Sequence, residues 1–359
     1  MESEVDCMTE LQQILLDMQK RYPKMRLSDH IKLIYQNEFG CGHLITAPDA
    51  SLERLEAECK TARPGLNLFE QIGNGYRRLY LKNALELGAS PKTMHRIFLA
   101  TAKKGDGSTD SLRRKLQQLY ELCQEGKLPY KAGLCQFYLI NYEAAGFPTV
   151  HHTPRYKNAY APSYRVVSEQ YARFFELLLR IDRLLNTEKS PLLIAIDGPC
   201  ASGKTTLAEL LQTCYDCNVF HADDFYLRPE QKTPERLREA GGNMDRERLE
   251  AEVLRPLSES KDVLYRPYAC KTEEVTEGHI VPFKRLNIIE GSYSLHPDLR
   301  HYYHVKVTLD ITPEHQWNRL KRRESLKSLE MFRDRWIPLE REYAKATDLF
   351  SCADLVYPC

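Results

Sequence analysis

Apolar residues in the first half of the chain recur mainly at the spacing of an α-helix. Residues 8–22 follow this period, with apolar side chains such as Leu11 and Leu15 on one face. Strand-like alternation is scarce, apart from a few residues near Leu79. Helical spacing also occurs over residues 51–62, 76–86, 91–101, 109–125, 135–145 and 167–185. We therefore predict a mostly α-helical N-terminal domain over residues 1–186.

The second half of the chain alternates short apolar runs with helical patterns. Runs that predict buried strands cover residues 192–196, 218–221, 263–268, 286–291, 304–311 and 354–357. Strands that alternate with helices in this way form a parallel sheet with helices on its faces. The polar stretch 186–190 separates this part from the first half. We predict an α/β domain, a doubly wound parallel sheet, over residues 187–359.

The first of these strands leads into a loop with glycine at both ends. The sequence reads G-x-x-x-x-G-K-T and continues at helical spacing, which is the pattern of a phosphate-binding P-loop. Gly198 and Gly203 let the backbone turn tightly and bring its N–H groups close to a polyphosphate. Lys204 can bridge the β- and γ-phosphates, and the Thr205 hydroxyl can bind Mg²⁺. The predicted nucleotide-binding residues are Gly198, Pro199, Cys200, Ala201, Ser202, Gly203, Lys204, Thr205 and Thr206.

A chance loop is the alternative interpretation of this pattern. It is disfavoured because a buried-strand pattern precedes the loop and a helical pattern follows it. The fold class that we predict is therefore a P-loop NTPase, and its predicted cofactors are ATP and Mg²⁺.

Acidic residues stand at the ends of two predicted strands. Asp223 and Asp224 follow residues 218–221, and Glu290 ends the strand 286–291. Ligands of open α/β sheets bind at the carboxyl ends of strands. A carboxylate there can accept a proton from an attacking hydroxyl or hold Mg²⁺ through water. The alternative for the first pair is a solvated turn. Asp245, after two glycines, fits either a helix N-cap or a substrate contact.

A dense basic cluster lies on the helix that Pro313 begins. It consists of Arg319, Lys321, Arg322 and Arg323. Such a cluster is often a solvated helix face. Downstream of a P-loop we favour a lid that folds over bound phosphates.

Two segments of the first half bring together residues with reactive side chains. Two glycines flank Cys41, with Glu38 before them and His43 directly after, which predicts either a small site of Glu38, Cys41 and His43 or, as we favour, a glycine-capped helix end. Residues 150–167 contain His151 and His152 among tyrosines, arginines and prolines. This composition fits a functional loop or an extended segment that packs its tyrosines on a neighbouring domain. We predict that the segment lies against the second domain and, although the three histidines suggest zinc, binds no metal.

Composition excludes several classes of protein. The 51 basic and 50 acidic side chains nearly balance, so no overall charge favours nucleic acid or an anionic membrane. The acidic start lacks the apolar core of a signal peptide, and no apolar run approaches the roughly 20 residues of a membrane span. We expect a cytoplasmic protein whose eleven cysteines are thiols.

Residues 187–359 resemble the uridine kinase and phosphoribulokinase family of P-loop kinases. The resemblance rests on the P-loop together with Asp223 before Phe225-Tyr226, Asp245, Arg266-Pro267-Tyr268, Glu290-Gly291 and the basic residues 319–323. Two residues depart from the family pattern: Asp224 stands where nucleoside kinases commonly have a small residue, and Ala269 stands where many relatives have an aspartate. These departures concern the identity of the acceptor and leave the resemblance to a kinase intact. The phrase 335–340 is similar to a bacterial subgroup of uridine-kinase-like proteins.

The resemblance implies a role for each matched residue. Asp223 corresponds to the base that acts on the acceptor hydroxyl, and Glu290 to the carboxylate on the metal side. Asp245 lies where uridine kinases hold the ribose hydroxyls. The acceptor-binding residues implied are Asp223, Tyr226, Asp245, Arg266 and Tyr268. The catalytic residues implied are Lys204, Asp223, Arg319, Arg322 and Arg323.

These observations predict an ATP-dependent kinase that phosphorylates a hydroxyl of a small molecule, a nucleoside or a similar sugar-bearing compound. A nucleotide-dependent switch is the alternative, in which ATP hydrolysis moves the N-terminal domain on a protein partner. A third alternative makes the N-terminal domain a second enzyme for the same metabolite. The predicted partner is the small-molecule acceptor, without nucleic acid or membrane, and self-association into a homo-oligomer stays open.

Overall fold

A computed structural model of the protein describes residues 8–41, 48–103 and 107–359. The chain divides into two compact units, Met1–Asp182 (unit 1) and Arg183–Cys359 (unit 2). This division lies inside the helix Phe175–Thr187, a few residues before the predicted boundary between residues 186 and 187.

Unit 1 is mostly helical, as predicted. Its first helix has a capping box, in which Thr9 and Gln12 bond each other's backbone N–H groups. The helices are α1 (Glu10–Arg21), α2 (Leu27–Phe39), α3 (Pro48–Thr61), α4 (Leu81–Glu86), α5 (Pro91–Ala102), α6 (Thr109–Gln124), α7 (Ala132–Ala144), α8 (Pro154–Tyr160), α9 (Glu169–Arg173) and α10 (Phe175–Thr187). A core that includes Leu15, Ile31 and Leu119 joins several of them.

A three-stranded antiparallel sheet in unit 1 corrects the sequence prediction. Its strands are β1 (Phe69–Gly73), β2 (Tyr76–Tyr80) and β3 (Tyr164–Ser168), in that order. The predicted helix 76–86 is wrong over its first five residues, which form β2 with Leu79 at its buried end. Strands on both sides of β2 supply its backbone hydrogen bonds, and these distant partners outweigh the local helical spacing.

The segment 150–167 is not extended throughout, and this part of the prediction is wrong. Thr153 caps α8, and Pro154 takes the first helical position, where its missing N–H costs nothing. The residues that follow α8 enter β3. Tyr156 of α8 is buried in the core of unit 1. The segment therefore has regular structure of its own, whereas its predicted contact with the second domain stays a prediction.

A buried ion pair joins β1 and β2. The fully buried Arg78 donates to Glu70 Oε2 at 3.0 Å and to Gln36 Oε1 at 2.8 Å. Glu70 also accepts hydrogen bonds from the hydroxyls of Tyr22, at 2.7 Å, and Tyr80, at 3.2 Å. A buried charge is tolerated only when it is paired and hydrogen-bonded, so this network fixes the register of the two strands.

Glu70→Gln should destabilise unit 1 by about 3 kcal/mol, because it leaves the Arg78 charge buried without a counter-ion. Both tryptophans, Trp317 and Trp336, lie in unit 2. A denaturant transition seen by circular dichroism but not by tryptophan fluorescence therefore reports unit 1. The control Glu169→Gln removes a half-exposed pair with Arg77 and should cost less than about 1 kcal/mol. Equal losses in the two variants would contradict this account.

Unit 2 is built on a five-stranded, wholly parallel sheet, which confirms the predicted fold class. The strand order is β12-β11-β4-β10-β5. These strands are β4 (Leu192–Asp197), β5 (Cys217–His221), β10 (Leu286–Glu290), β11 (Val305–Asp310) and β12 (Leu355–Pro358). The predicted strand 263–268 is broken at Arg266-Pro267 into β6 (Val263–Tyr265) and β7 (Tyr268–Ala269), which pair with β9 (His279–Val281) and β8 (Glu274–Val275).

Helices flank the sheet and complete the core of unit 2. They are α11 (Lys204–Cys214), α12 (Pro234–Arg238), α13 (Arg246–Leu249), α14 (Arg255–Ser258), α15 (Pro313–Arg323), α16 (Leu326–Met331), α17 (Ile337–Ala346) and α18 (Leu349–Cys352). Helix α11 packs against β4, β5 and β10. Leu193 and Ala195 of β4 share a buried cluster with Leu249 and Val253.

Of the described helices, none combines the length and the apolar character that crossing a membrane requires.

Candidate active site

The P-loop stands where the sequence predicts it, between β4 and α11. Gly198 and Gly203 both have positive φ angles, of 142° and 102°. A Cβ atom at position 198 would lie only 2.3 Å from the carbonyl oxygen of Leu309 in the adjacent strand. Glycine is therefore required at the start of the loop, because the loop and β11 approach each other too closely for a side chain.

Lys204 is buried and folds back over its own loop. Its Nζ donates to the carbonyl oxygens of Gly198 and Pro199, at 2.8 and 3.1 Å, and to Ser292 Oγ at 3.3 Å. The ammonium group is thus held at the loop by weak neutral acceptors. A phosphate oxygen is a stronger partner for an ammonium group, since charge-assisted hydrogen bonds are roughly twice as strong as neutral ones.

Asp197, the last residue of β4, holds the P-loop in place through hydrogen bonds. This buried carboxylate accepts hydrogen bonds from the backbone N–H groups of Gly198 and Leu295, at 2.6 and 2.8 Å, and from the Tyr343 hydroxyl at 2.9 Å. Burial raises the pKa of Asp197 to about 6, against the opposing effect of these hydrogen bonds. Asp197 therefore ties the loop to the segment after β10.

The two residues predicted to hold the metal lie together. The Thr205 hydroxyl donates to Glu290 Oε1 at 3.0 Å, and Glu290 is buried at the end of β10. A hydroxyl and a carboxylate are hard oxygen ligands of the kind that Mg²⁺ takes beside substrate phosphates, so these side chains fit the ion. His221 Nδ1 lies 2.6 Å from the same Glu290 oxygen, and this contact raises the pKa of His221.

Asp223 lies beside the same strand ends, on a short 3₁₀ turn after β5. Asp223 keeps part of its surface in contact with solvent. The protein around its carboxyl group nevertheless displaces most of the nearby water, and this desolvation raises the pKa of Asp223. The charge of Lys204 acts in the opposite direction, while Glu290 and Glu340 raise the pKa further. The turn comes this close to β10 because position 291 is a glycine, where a Cβ would lie 2.8 Å from that of Ala222.

Glu340 is a member of the site that sequence reasoning missed. Its Oε2 accepts a hydrogen bond from the backbone N–H of Cys200 in the P-loop at 2.9 Å, and its Oε1 accepts one from Ser292 at 2.9 Å. The N–H groups of a P-loop are the donors that bind phosphate. A carboxylate of α17 therefore takes a donor that a nucleotide phosphate requires.

Glu340→Gln should strengthen nucleotide binding by roughly tenfold, because a neutral amide competes less well for the Cys200 N–H and repels phosphate less. Isothermal titration with ADP measures this affinity. Glu342→Gln, an exposed change on the same helix, is the matched control and should leave the affinity unchanged. Unchanged or weaker ADP binding by Glu340→Gln would show that the carboxylate holds the loop in its binding conformation.

One of the three predicted lid arginines contacts the loop. Arg319 donates to the carbonyl oxygens of Ala201 and Ser202 at 3.0 and 3.2 Å. Arg322 is exposed, and Arg323 pairs with Glu324 at 2.7 Å. Roles for Arg322 and Arg323 in catalysis thus stay predictions from the resemblance.

Two of the predicted acceptor-binding residues, Asp245 and Arg266, have partners within unit 2. Asp245 is buried and caps α13 by accepting from the Arg248 N–H at 3.1 Å, so the cap interpretation describes its contact. Its own N–H donates to the Phe225 carbonyl at 2.7 Å, which places it next to Tyr226. Arg266 forms an ion pair with Glu252 on the neighbouring helix turn.

Two of the predicted acceptor contacts are aromatic, Tyr226 and Tyr268. Tyr226 lies beside Trp336, with ring centroids 6.1 Å apart. Tyr268 is buried on β7, and its hydroxyl has no hydrogen-bond partner among the described residues. A buried hydroxyl without a partner costs free energy, and a bound ligand can remove that cost.

The candidates in unit 1 have structural contacts. Glu38 accepts from the Ser108 N–H and the Ser111 hydroxyl, both at 2.8 Å, at the start of α6. Cys41 is buried, which raises the pKa of its thiol to about 12. His152 lies 3.1 Å from Asp29 through Nδ1 and 2.7 Å from the Tyr164 hydroxyl through Nε2. His43 lies outside the described residues, and no cluster of three metal-binding side chains occurs within them.

The parallel sheet, the loop after its first strand and the acidic strand ends define a P-loop NTPase fold. No protein-family profile matches the chain, and no curated protein matches it. Similar solved structures include a "possible uridine kinase" from Bacillus stearothermophilus, with 23% identity, a TM-score of 0.37, and coverage of 51% of this chain and 99% of that one. A candidate fructose transport system kinase from Silicibacter sp. TM1040 has 22% identity, a TM-score of 0.42, and coverage of 50% and 95%.

Proposed function

We propose that unit 2 is an ATP-dependent kinase that transfers a phosphoryl group to a hydroxyl of a small molecule. One observation carries the proposal most directly. Asp223, a carboxylate with a raised pKa, stands beside both the P-loop lysine and the Thr205–Glu290 pair. An enzyme that only hydrolyses ATP needs no such carboxylate for an acceptor hydroxyl, whereas a kinase does.

The side chains of the site divide the work of phosphoryl transfer. The loop N–H groups and Lys204 bind and orient the phosphates of ATP, and Arg319 adds positive charge beside the loop. Thr205 and Glu290 would hold Mg²⁺, which when bound neutralises negative charge on the phosphates. Asp223 accepts the proton of the acceptor hydroxyl. Its raised pKa brings it closer to the operating pH, which suits a general base.

The acceptor that we propose is a nucleoside or a similar sugar-bearing compound. The resemblance of residues 187–359 to uridine kinases supports this choice, together with the place of Tyr226 and Asp245 next to one another. Tyr268, with its free hydroxyl, offers a further polar contact. Arg266 is the weakest of the predicted acceptor contacts, because Glu252 already pairs with it.

A screen for acceptor-dependent ADP release tests the proposal. Nucleosides, sugars and vitamins are offered one at a time with ATP and Mg²⁺, and ADP is measured by a coupled assay. We expect one class of hydroxyl compound to raise ADP release well above the rate without acceptor. A rate that no compound raises, but that a protein partner raises, would favour the nucleotide-dependent switch.

A further inference from the structure

Helix α7 of unit 1 is apolar on two sides, and only one of them is buried. Cys135 and Tyr142 lie in the core of unit 1, and Leu139 packs against that core. The other side of the helix is open to solvent. The exposed fractions of its large side chains are 64% for Leu134, 69% for Phe137, 39% for Tyr138 and 60% for Ile140. A helix that is apolar all round is normally buried, so the open side of α7 has the character of an interface.

The open side of α7 also carries no charge over most of its length. Residues 132–142 contain no acidic or basic side chain. The charged residues nearest to them along the chain are Lys131, which precedes the helix, and Glu143, which pairs with Arg113 at 2.7 Å. A helix that lies on a membrane surface is typically rich in lysine and arginine on its polar face. The composition of α7 therefore favours another apolar protein surface over a lipid surface.

The residues opposite the buried side follow the heptad spacing of helices that pack on one another. Gly133, Phe137, Ile140 and Ala144, the α7 stripe, are all exposed and are separated by four, three and four residues. This spacing reads the same from either end of the helix. In an antiparallel pair of such helices, Phe137 of each copy falls opposite Ile140 of the other, and Gly133 falls opposite Ala144. The α7 stripe is thus complementary to itself about a two-fold axis, as the interface of a symmetric dimer must be.

The charges at the two ends of α7 favour the antiparallel arrangement. It places the N-terminal end of one helix, with its positive partial charge and Lys131, beside the C-terminal end of the other, with Glu143. A parallel pair would bring like charges together at both ends. The contact area is also sufficient for a reversible dimer. At roughly 200 Å² for a free side chain, the four large exposed side chains offer about 450 Å² per copy, and their neighbours bring the pair near the ~1,200 Å² of the smaller specific interfaces.

We propose that the α7 stripe is the interface of a homodimer, in which a second copy of this chain packs its own α7 antiparallel against it. Phe137 and Ile140 form the centre of the interface, where large apolar side chains that exclude water contribute most of the binding free energy. The interface uses no residue of unit 2. It therefore goes beyond the proposed kinase activity and does not depend on it.

Sedimentation velocity of the full-length protein over a range of concentrations measures this association. We expect a reversible equilibrium between monomer and dimer. Phe137→Asp should weaken it by about a hundredfold or more, because each dimer would bury two unpaired charges near its centre. The control is Leu66→Asp, since Leu66 is 67% exposed in unit 1 outside α7, and this variant should associate like the wild type. Circular dichroism checks that each variant is folded.

A pair of oppositely charged variants tests the orientation of the helices. Phe137→Asp and Ile140→Lys should each be monomeric alone and form a heterodimer when mixed, because the antiparallel pair sets the new carboxylate opposite the new ammonium group. Wild-type protein that stays monomeric up to about 100 μM would overturn the proposal. So would a folded Phe137→Asp variant that dimerises as tightly as the wild type, or a mixture of the two variants that stays monomeric. Binding of monomeric wild-type protein to phosphatidylcholine vesicles, abolished by Phe137→Asp, would assign the stripe to a membrane instead.

Discussion

Lys204→Ala should lower the rate of phosphoryl transfer by about a thousandfold or more. The Lys204 ammonium group, which bonds the Gly198 and Pro199 carbonyls, is the cation that we propose stabilises charge on the transferring phosphoryl group. Removal of one such electrostatic contact costs two to three powers of ten, and loss of a cation at a phosphoryl group can cost more. Steady-state kinetics with an accepted substrate measure the effect.

The matched control for this change is Lys189→Ala. Lys189 is exposed and precedes β4, whereas the P-loop follows the other end of that strand. This variant should retain the wild-type rate. Thermal melting of Lys204→Ala should show a folded protein, since the three contacts that it loses are single hydrogen bonds to neutral acceptors. Near-normal turnover by folded Lys204→Ala would contradict the P-loop assignment.

Asp223→Asn should lower kcat by about a hundredfold or more while the affinity for ATP changes little. The base takes part only in the transfer step, and general bases typically contribute two to four powers of ten. Single-turnover rates at saturating ATP, together with ADP titration, separate the two quantities. Asp224→Asn is the neighbouring control, because Asp224 accepts from the Tyr265 hydroxyl and we give it no part in the chemistry.

The pH dependence of the wild-type enzyme should carry the same signature. A base acts when deprotonated, so kcat/KM should fall as the pH falls through the pKa of Asp223. Because that pKa is raised, the acid limb should lie above the usual range of aspartate. A collapse of ATP binding in Asp223→Asn, with the rate at saturation retained, would make Asp223 a nucleotide ligand instead.

The parts of unit 2 that were predictable are those set by local sequence. The P-loop needs glycine, lysine and threonine at fixed spacing, and the acidic strand ends follow directly from short apolar runs. Glu340 contacts Cys200 across 140 positions of the chain. No local pattern reveals such a contact. His221 could have been predicted as a member of the site, since it ends a predicted strand two residues before Asp223. In the structure its imidazole contacts Glu290 at the end of β10.

The sheet of unit 1 shows why local pattern failed there. Strand β2 reads Tyr-Arg-Arg-Leu-Tyr, and a charged residue at a buried position argues against a strand core. Arg78 is nevertheless fully buried, because Glu70 and Gln36 complete its hydrogen bonds from elsewhere in the chain. The role predicted for Arg266 shows the same limit, as its partner Glu252 lies on a preceding helical segment.

The fate of the γ-phosphate tests the central proposal most directly. Phosphorus NMR of a reaction with ATP, Mg²⁺ and the best acceptor of the screen distinguishes a phosphate ester from inorganic phosphate. We expect ADP and a new phosphomonoester of the acceptor to appear in equal amounts, and Asp223→Asn to slow the formation of both. Release of ADP with an equal amount of inorganic phosphate, whatever hydroxyl compound is present, would contradict a kinase and favour a nucleotide-dependent switch.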